Sequence, residues 1–115
     1  MGRLTTHVLD IAAGRPAPGM RIVLTDLDGG AVLGEFRTNA DGRLDAPALQ
    51  GDAFKPGRYE LLFFVAEYFR AQGVTGGDVN FLEDVPLRFG VADAAQHYHV
   101  PLLVSPWAYS TYRGS

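Results

Sequence analysis

Short segments that favour β-strands alternate with turns of glycine, proline and aspartate along almost all of the 115 residues. In residues 3–9, for example, Leu4, Thr6 and Val8 share one face of an extended chain, and the residues between them share the other. Such alternation, repeated between turn signals, is typical of an all-β sandwich or barrel. Strands are predicted over 3–9, 20–27, 31–38, 58–65, 85–91, 96–104 and 107–113, with one short edge strand within 44–54 and a single helix over 66–72.

The length and composition narrow the class of protein. A chain of this length is expected to form a single domain, residues 1–115, whose core needs no metal or disulfide. The formal net charge is −3 and no basic run is present, so neither nucleic acid nor a membrane is an expected partner. Cysteine is absent, which excludes thiol catalysis. No segment has the pattern of a membrane span or an export signal, and the cytoplasm is therefore the default expectation.

Residues 97–115 combine two of the three histidines, the only tryptophan and three of the five tyrosines. Alternation places His97 and His99 on one face of the first strand in this segment and apolar side chains on the other. Pro101 lies inside that strand and has no N–H for a ladder hydrogen bond, so either the strand bulges there or the position faces away from a partner. Aromatic, β-prone residues indicate a tail that is held in place.

The three histidines are candidates for acid or base chemistry, because imidazole titrates near neutral pH. His97 and His99, with His7 as the third imidazole, would also suit an open zinc site, although no HExxH or comparable spacing supports one. A third interpretation is structural: one histidine of the pair lies at the surface and the other is hydrogen-bonded within the sheet. The residues alone leave these interpretations open.

Arg43 follows a turn and is either a solvated charge or a fixed cation able to bind a planar amide or an oxyanion. Ser115 is a nucleophile only in principle, because the chain has no GxSxG motif. Asp10, Asp41 and Asp45 are interpreted as turn or cap residues.

Five motifs extend along the chain, most of them near its two ends: His7-Val8-Leu9-Asp10, Asp41-Gly42-Arg43, Lys55-Pro56-Gly57-Arg58-Tyr59, the run from Tyr98 to Pro106, and Tyr112-Arg113-Gly114-Ser115. With these motifs the chain resembles the transthyretin-like family, and within it the branch of 5-hydroxyisourate hydrolases. Transthyretin, the hormone-carrier branch, has threonine at the position of His99 and lacks the Tyr-Arg-Gly-Ser ending, so the chain resembles the enzyme branch.

The resemblance implies a transthyretin-like β-sandwich of two four-stranded sheets with one short helix. It further implies a homotetramer with active sites at the interface between dimers. In that arrangement the first strand and the last two strands share a sheet, which brings His7, His99 and Ser115 together with Arg43 nearby.

The activity implied by the resemblance is hydrolysis of 5-hydroxyisourate to 2-oxo-4-hydroxy-4-carboxy-5-ureidoimidazoline in urate and purine catabolism, without a metal or another cofactor. We expect His7 and His99 to transfer protons. Arg43 is expected to hold the substrate and to stabilise negative charge. Ser115 is expected to orient water or substrate through its hydroxyl or its carboxylate. Tyr112, Arg113 and Gly114 are expected to contribute to substrate binding. His97 is expected either to orient a neighbour or to face solvent.

Two alternatives differ from the enzyme in class. A non-catalytic carrier of small molecules, like transthyretin, would bind its ligand reversibly without turnover. A β-sandwich interaction module would be monomeric, and it gives no reason for an aromatic tail that ends in Arg113-Gly114-Ser115.

Overall fold

The computed structural model of the protein describes residues 2–114, which form nine strands, one α-helix and one short 3-10 helix. The six longer strands correspond to predicted ones, whereas the two-residue strand Arg15–Pro16 lies where no strand is predicted. Among these residues, no helix has the length and apolar character that crossing a membrane would require. The elements are β1 (Arg3–Asp10), β2 (Arg15–Pro16), β3 (Arg21–Asp26), β4 (Val32–Arg37), β5 (Leu49–Gln50), the 3-10 helix (Gly51–Ala53), β6 (Gly57–Phe63), α1 (Val65–Ala71), β7 (Val85–Val91), β8 (Tyr98–Val104) and β9 (Tyr109–Ser110).

The strands form two sheets, which confirms the predicted all-β sandwich. One sheet has the order β4-β3-β6-β7. The other has the order β2-β1-β8-β9, and β5 also pairs with β1. This sheet therefore contains five strands instead of four, because β2 and β5 pair with opposite ends of β1, at Leu9 and at Leu4.

The parallel pair of β1 and β8 joins the two ends of the chain. Its register places Thr5 opposite His99 and His7 opposite Pro101. The predicted alternation is observed in both strands except at Pro101: one face is buried in the sandwich, and the other, which carries His7 and His99, is only partly covered apart from the buried Pro101. The first strand and the last two strands thus lie in one sheet, as the resemblance implies.

The core lies between the sheets and beneath α1. Each large apolar side chain that folding removes from water contributes about 1.5–3 kcal/mol, so this layer dominates the stability of the domain. The largest fully buried side chains come from both sheets and the helix: Leu4, Val8, Met20, Ile22, Leu24, Leu61, Phe63, Val65, Phe69, Val85, Leu102 and Val104.

Asp10 ends β1 as a turn residue, in agreement with its predicted role. Its Oδ1 accepts hydrogen bonds from the backbone N–H groups of Ala12 and Ala13, at 3.0 and 2.9 Å. The hydroxyl of Tyr68 on α1 donates to Asp10 Oδ2 at 2.8 Å. Burial, together with this carboxylate, raises the pKa of Tyr68 to about 12. The pair fastens the helix to the end of the strand.

The C-terminal segment is less regular than the predicted strand over 107–113. Only Tyr109–Ser110 pairs with β8 as a strand. An isolated bridge then joins Gly114 to His99, so the chain returns to β8 after a gap.

Pro101 is the physical reason for this gap. His99 and Gly114 exchange both backbone hydrogen bonds, so the nitrogen of Pro101, two residues along β8, is directed at the same C-terminal segment. The register places Tyr112 opposite it, but proline has no N–H to donate. The Thr111 hydroxyl donates instead to the Pro101 carbonyl at 2.6 Å. Neither outcome predicted for Pro101 is observed: the strand has no bulge, and the residue faces a partner segment, where its missing N–H interrupts the ladder.

Candidate active site

A cleft of about 440 Å³ opens beside the exposed face of the β1–β8 pair. Thr5 of β1, His99 of β8 and Arg43 of the loop after β4 contribute to its walls. The cleft therefore joins residues that lie far apart along the chain, and the register of two parallel strands sets their positions. Its lining also includes Arg3, Thr6, Leu44, Asp45, Ala46, Pro47 and His97.

His99 lies on an interior strand of its sheet, half-buried between β1 and the C-terminal segment. Its Nδ1 atom is 2.8 Å from the hydroxyl oxygen of Thr5. Burial lowers the pKa of His99 below its usual value, and the nearby charges of Arg43 and His7 lower it further. Near pH 7 the ring is therefore mainly neutral, and one of its nitrogens is able to accept a proton.

His7 lies two residues beyond Thr5 on the same face of β1. Its Nε2 atom is 2.8 Å from the backbone carbonyl oxygen of Asp41. A carbonyl oxygen only accepts hydrogen bonds, so Nε2 is the donor and carries a hydrogen. In the neutral ring, the lone pair of His7 is consequently on Nδ1.

The turn before Arg43 is joined to β1 by the backbone. The Val8 N–H donates to the carbonyl oxygen of Gly42 at 2.8 Å, and residues His7 and Arg43 form an isolated antiparallel bridge. Gly42 has a φ of 75°, and a Cβ there would lie 2.3 Å from the carbonyl oxygen of Val8. Only glycine meets both conditions without rearrangement. Within the same turn, Asn39 Oδ1 accepts the N–H groups of Asp41 and Arg43.

The side chain of Arg43 is exposed at the cleft. Among residues 2–114, no carboxylate lies within ion-pair distance of its guanidinium. Arg43 therefore combines a fixed backbone with a forked cation that is available for a planar or anionic group.

Gly114 lies directly against the ring of His99. Its N–H donates to the His99 carbonyl at 2.7 Å, and a Cβ at Gly114 would be 3.0 Å from His99 Cδ2. Of the three described C-terminal residues predicted to form part of the site, Tyr112, Arg113 and Gly114, the structure brings Gly114 to the histidine. Ser115 lies outside the described residues.

Tyr112 and Arg113 are placed elsewhere in the described chain. The Arg113 guanidinium carbon is 4.0 Å from the ring centroid of Tyr98, whose side chain belongs to the buried face of β8. Tyr112 and Arg113 line a separate, smaller pocket of about 230 Å³ together with β7. A single chain therefore does not bring these two side chains to the cleft of His99, and their contact with a substrate stays a prediction.

His97 is exposed at the rim of the cleft, and its carbonyl accepts a hydrogen bond from Arg113 Nη2 at 3.0 Å. Its solvent-facing position agrees with one of the two predicted alternatives. No group of three histidine or acidic side chains within residues 2–114 is arranged to hold a metal ion.

Three contributors to the site were not identified from the sequence. Thr5 shares a face with His7, but its contact with His99 depends on a strand register that spacing does not reveal. Arg3 belongs to the same face of β1. Asp41 contributes its backbone carbonyl, for which its side chain gives no signal.

Comparisons with known proteins agree with this architecture. The family model described as HIUase/Transthyretin family matches residues 4–114. A curated relative, 5-hydroxyisourate hydrolase 2 of Rhizobium meliloti (strain 1021), is 59% identical over 116 residues, which cover 99% of this chain and 97% of the relative.

Two solved structures are similar over the whole chain. The structure of Klebsiella pneumoniae 5-hydroxyisourate hydrolase has a TM-score of 0.84 and 33% identity, with all of both chains covered. A crystal structure of (S)-allantoin synthase has a TM-score of 0.94 and 52% identity over 99% of this chain, which spans only 44% of that longer protein. The family match and the curated relative together show that the chain belongs to the HIUase/Transthyretin family.

Proposed function

We propose that the protein hydrolyses 5-hydroxyisourate to 2-oxo-4-hydroxy-4-carboxy-5-ureidoimidazoline, a step of urate breakdown. The observation that carries the proposal is the meeting of His99, Thr5 and Arg43 around one cleft, with His7 on the same sheet face. The relative that is 59% identical is named for this hydrolysis, which supports the same substrate.

The chemistry requires water to add to a ring carbonyl and the ring C–N bond to break. A base takes a proton from the water, and the departing nitrogen receives one. His7 and His99 are suited to these transfers because each has one ring nitrogen held by a neighbour and a second that remains for the reaction. Negative charge develops on the carbonyl oxygen as water adds. The Arg43 guanidinium, exposed at the cleft, stabilises that charge and binds the planar ring.

The C-terminal residues complete the proposed site. Gly114 keeps the main chain close to His99, and Ser115 follows it directly in the sequence. We assign to Ser115 the orientation of water or substrate. Tyr112 and Arg113 are assigned to substrate binding, with their side chains reaching a cleft other than the one beside their own His99. The reaction as proposed uses no metal and no cofactor.

We further propose a single domain over residues 1–115 that assembles into a homotetramer, with active sites between dimers. Both sheets contribute to one core, which supports the single domain. Exposed aromatic side chains near the C-terminal edge of the sheet that contains β1 and β8 support assembly, since Trp107 and Tyr112 are 70% and 60% exposed. Light scattering after size exclusion should give four times the 12.5-kDa chain mass. A monomer would contradict the tetramer.

The cytoplasmic location stays a prediction that cell fractionation tests.

The test of the proposed activity uses freshly generated 5-hydroxyisourate, whose ultraviolet absorbance decays as its ring opens. We expect the protein to accelerate this decay catalytically, at concentrations far below that of the substrate. Decay no faster than in protein-free buffer would overturn the proposal. Tight, stoichiometric binding without acceleration would instead support the carrier.

A further inference from the structure

Thr5, His99 and Gly114 lie side by side on three adjacent chain segments of one sheet. The parallel register pairs Thr5 with His99, and the antiparallel bridge pairs His99 with Gly114. Side chains at directly paired positions project from the same face of a sheet. The imidazole of His99 is therefore flanked on both sides by residues whose positions the backbone fixes.

On one flank, the Thr5 hydroxyl holds the Nδ1 edge of the ring. The two atoms are 2.8 Å apart, and the contact is partly buried. A hydroxyl both donates and accepts, so Thr5 pairs with Nδ1 in either tautomer of the neutral ring. A 180° flip of the ring would replace Nδ1 by a carbon and forfeit this bond. Thr5 thus selects one orientation of the imidazole.

On the other flank, Gly114 packs against the ring so closely that a residue with a side chain would crowd it. A Cβ there would approach His99 Cδ2 to 3.0 Å and His99 Cβ to 3.1 Å. The backbone of Gly114 is not among the glycines with positive φ, so the requirement for glycine is one of space and not of conformation. Gly114 therefore restricts the ring from the side opposite Thr5.

We propose that Thr5 is a positioning residue that holds His99 through Nδ1, so that Nε2 is the nitrogen that exchanges a proton with the substrate. This assignment rests on the proposed hydrolysis. In this role Thr5 acts through the ring of His99. Its residue type alone does not identify Thr5 as a positioning residue. A second threonine on the same strand, Thr6, faces the core and donates to the Val100 carbonyl.

Two substitutions separate the hydroxyl from the volume of the side chain. Thr5→Val keeps the shape and removes the hydroxyl, whereas Thr5→Ser keeps the hydroxyl and removes a methyl group. We expect Thr5→Val to lower kcat by about tenfold to a hundredfold, the usual effect of removing a partner that orients a functional histidine, with KM within about twofold. Thr5→Ser should retain most of the wild-type kcat. Equal kcat in the Val and wild-type proteins, or an equal loss in the Val and Ser proteins, would overturn the proposal.

A second readout needs no substrate. Nitrogen-15 NMR of His99 reports the hydrogen bonding of each ring nitrogen, and we expect Nδ1 to have the same hydrogen-bonded chemical shift in the wild type and in Thr5→Ser. In Thr5→Val the Nδ1 resonance should move away from that value by more than the Nε2 resonance does. A wild-type Nδ1 without a hydrogen-bonded shift would overturn the proposal, even if Thr5→Val failed to fold. A wild type without hydrolytic activity but with a hydrogen-bonded Nδ1 would refute the proposed function and leave the Thr5–His99 contact intact.

Discussion

His7 and Asp41 are joined by a hydrogen bond in which the imidazole Nε2–H donates to the backbone carbonyl at 2.8 Å. This bond links the first strand to the turn that carries Arg43, and it fixes the tautomer of the histidine. His7 therefore has a defined basic nitrogen, Nδ1, in the folded chain.

His7→Gln tests whether that basic nitrogen matters. A glutamine amide can still donate to the Asp41 carbonyl but has no lone pair of comparable basicity. We expect kcat to fall by about 10²–10⁴-fold, the contribution typical of a general acid or base, while the melting temperature changes little. Steady-state kinetics and thermal unfolding measure the two effects. Loss of activity together with loss of folding would show a structural role, and unchanged kcat would exclude His7 from proton transfer.

Arg43→Gln should raise the pKa of His99. Burial is the first cause of the lowered pKa, and the positive charge of Arg43 is the second, so removing that charge makes protonation of the ring easier. An NMR titration of His99 measures the change. Arg37→Gln is the matched control, because that guanidinium pairs with Glu67 at 3.3 Å and does not line the cleft. Identical titration of His99 in the Arg43 variant and the control would contradict the arrangement.

The same lowered pKa predicts how stability depends on pH. In the unfolded chain His99 titrates near 6.5, and in the folded chain it titrates below that value. The unfolded state therefore binds more protons as the pH falls below about 6.5, and the free energy of unfolding decreases. The contribution is fully present above pH 6.5 and is lost as the pH falls through the folded pKa. Urea denaturation at a series of pH values should show a shallower decline for His99→Gln than for the wild type, and parallel curves would refute the prediction.

Gly42→Ala should damage both stability and activity. Its φ of 75° strains any other residue, and the new Cβ would collide with the Val8 carbonyl. Gly30→Ala is the control, since its φ is 78° but no atom lies within 4 Å of a Cβ there. We expect the control to lose roughly 1–2 kcal/mol of stability from backbone strain alone, and Gly42→Ala to lose more and to reduce turnover. Equal losses, measured by denaturant unfolding, would show that the close approach to Val8 is unimportant.

Much of the fold follows from local sequence patterns. Alternation in residues 3–9 and 96–104 separates the two faces of β1 and β8, and the observed burial agrees except at Pro101, which is buried on the otherwise partly covered face. The two-residue strand β2 gives no such pattern, because it is too short for alternation and includes Pro16. The C-terminal strand was predicted too long because Pro101 breaks the ladder from the opposite side.

The site is less accessible to prediction than the fold. Thr5 and His99 are 94 residues apart, and nothing in either segment specifies that they pair in parallel and in this register. The resemblance to a family, carried by the motifs around His7 and His99, was needed to bring these two histidines together, and it did not identify Thr5. The contact between His7 and Asp41 involves a backbone carbonyl, which every residue has, so the residue type does not predict it.

We propose above all that His7, His99 and Arg43, at the face of the β1–β8 pair, open the ring of 5-hydroxyisourate. The most direct test compares the ultraviolet decay of fresh 5-hydroxyisourate with wild-type protein, with His99→Gln and without protein. We predict catalytic acceleration by the wild type and at least about a hundredfold loss of kcat in His99→Gln, which keeps its fold. Full activity in His99→Gln, or no acceleration by the wild type, would contradict it.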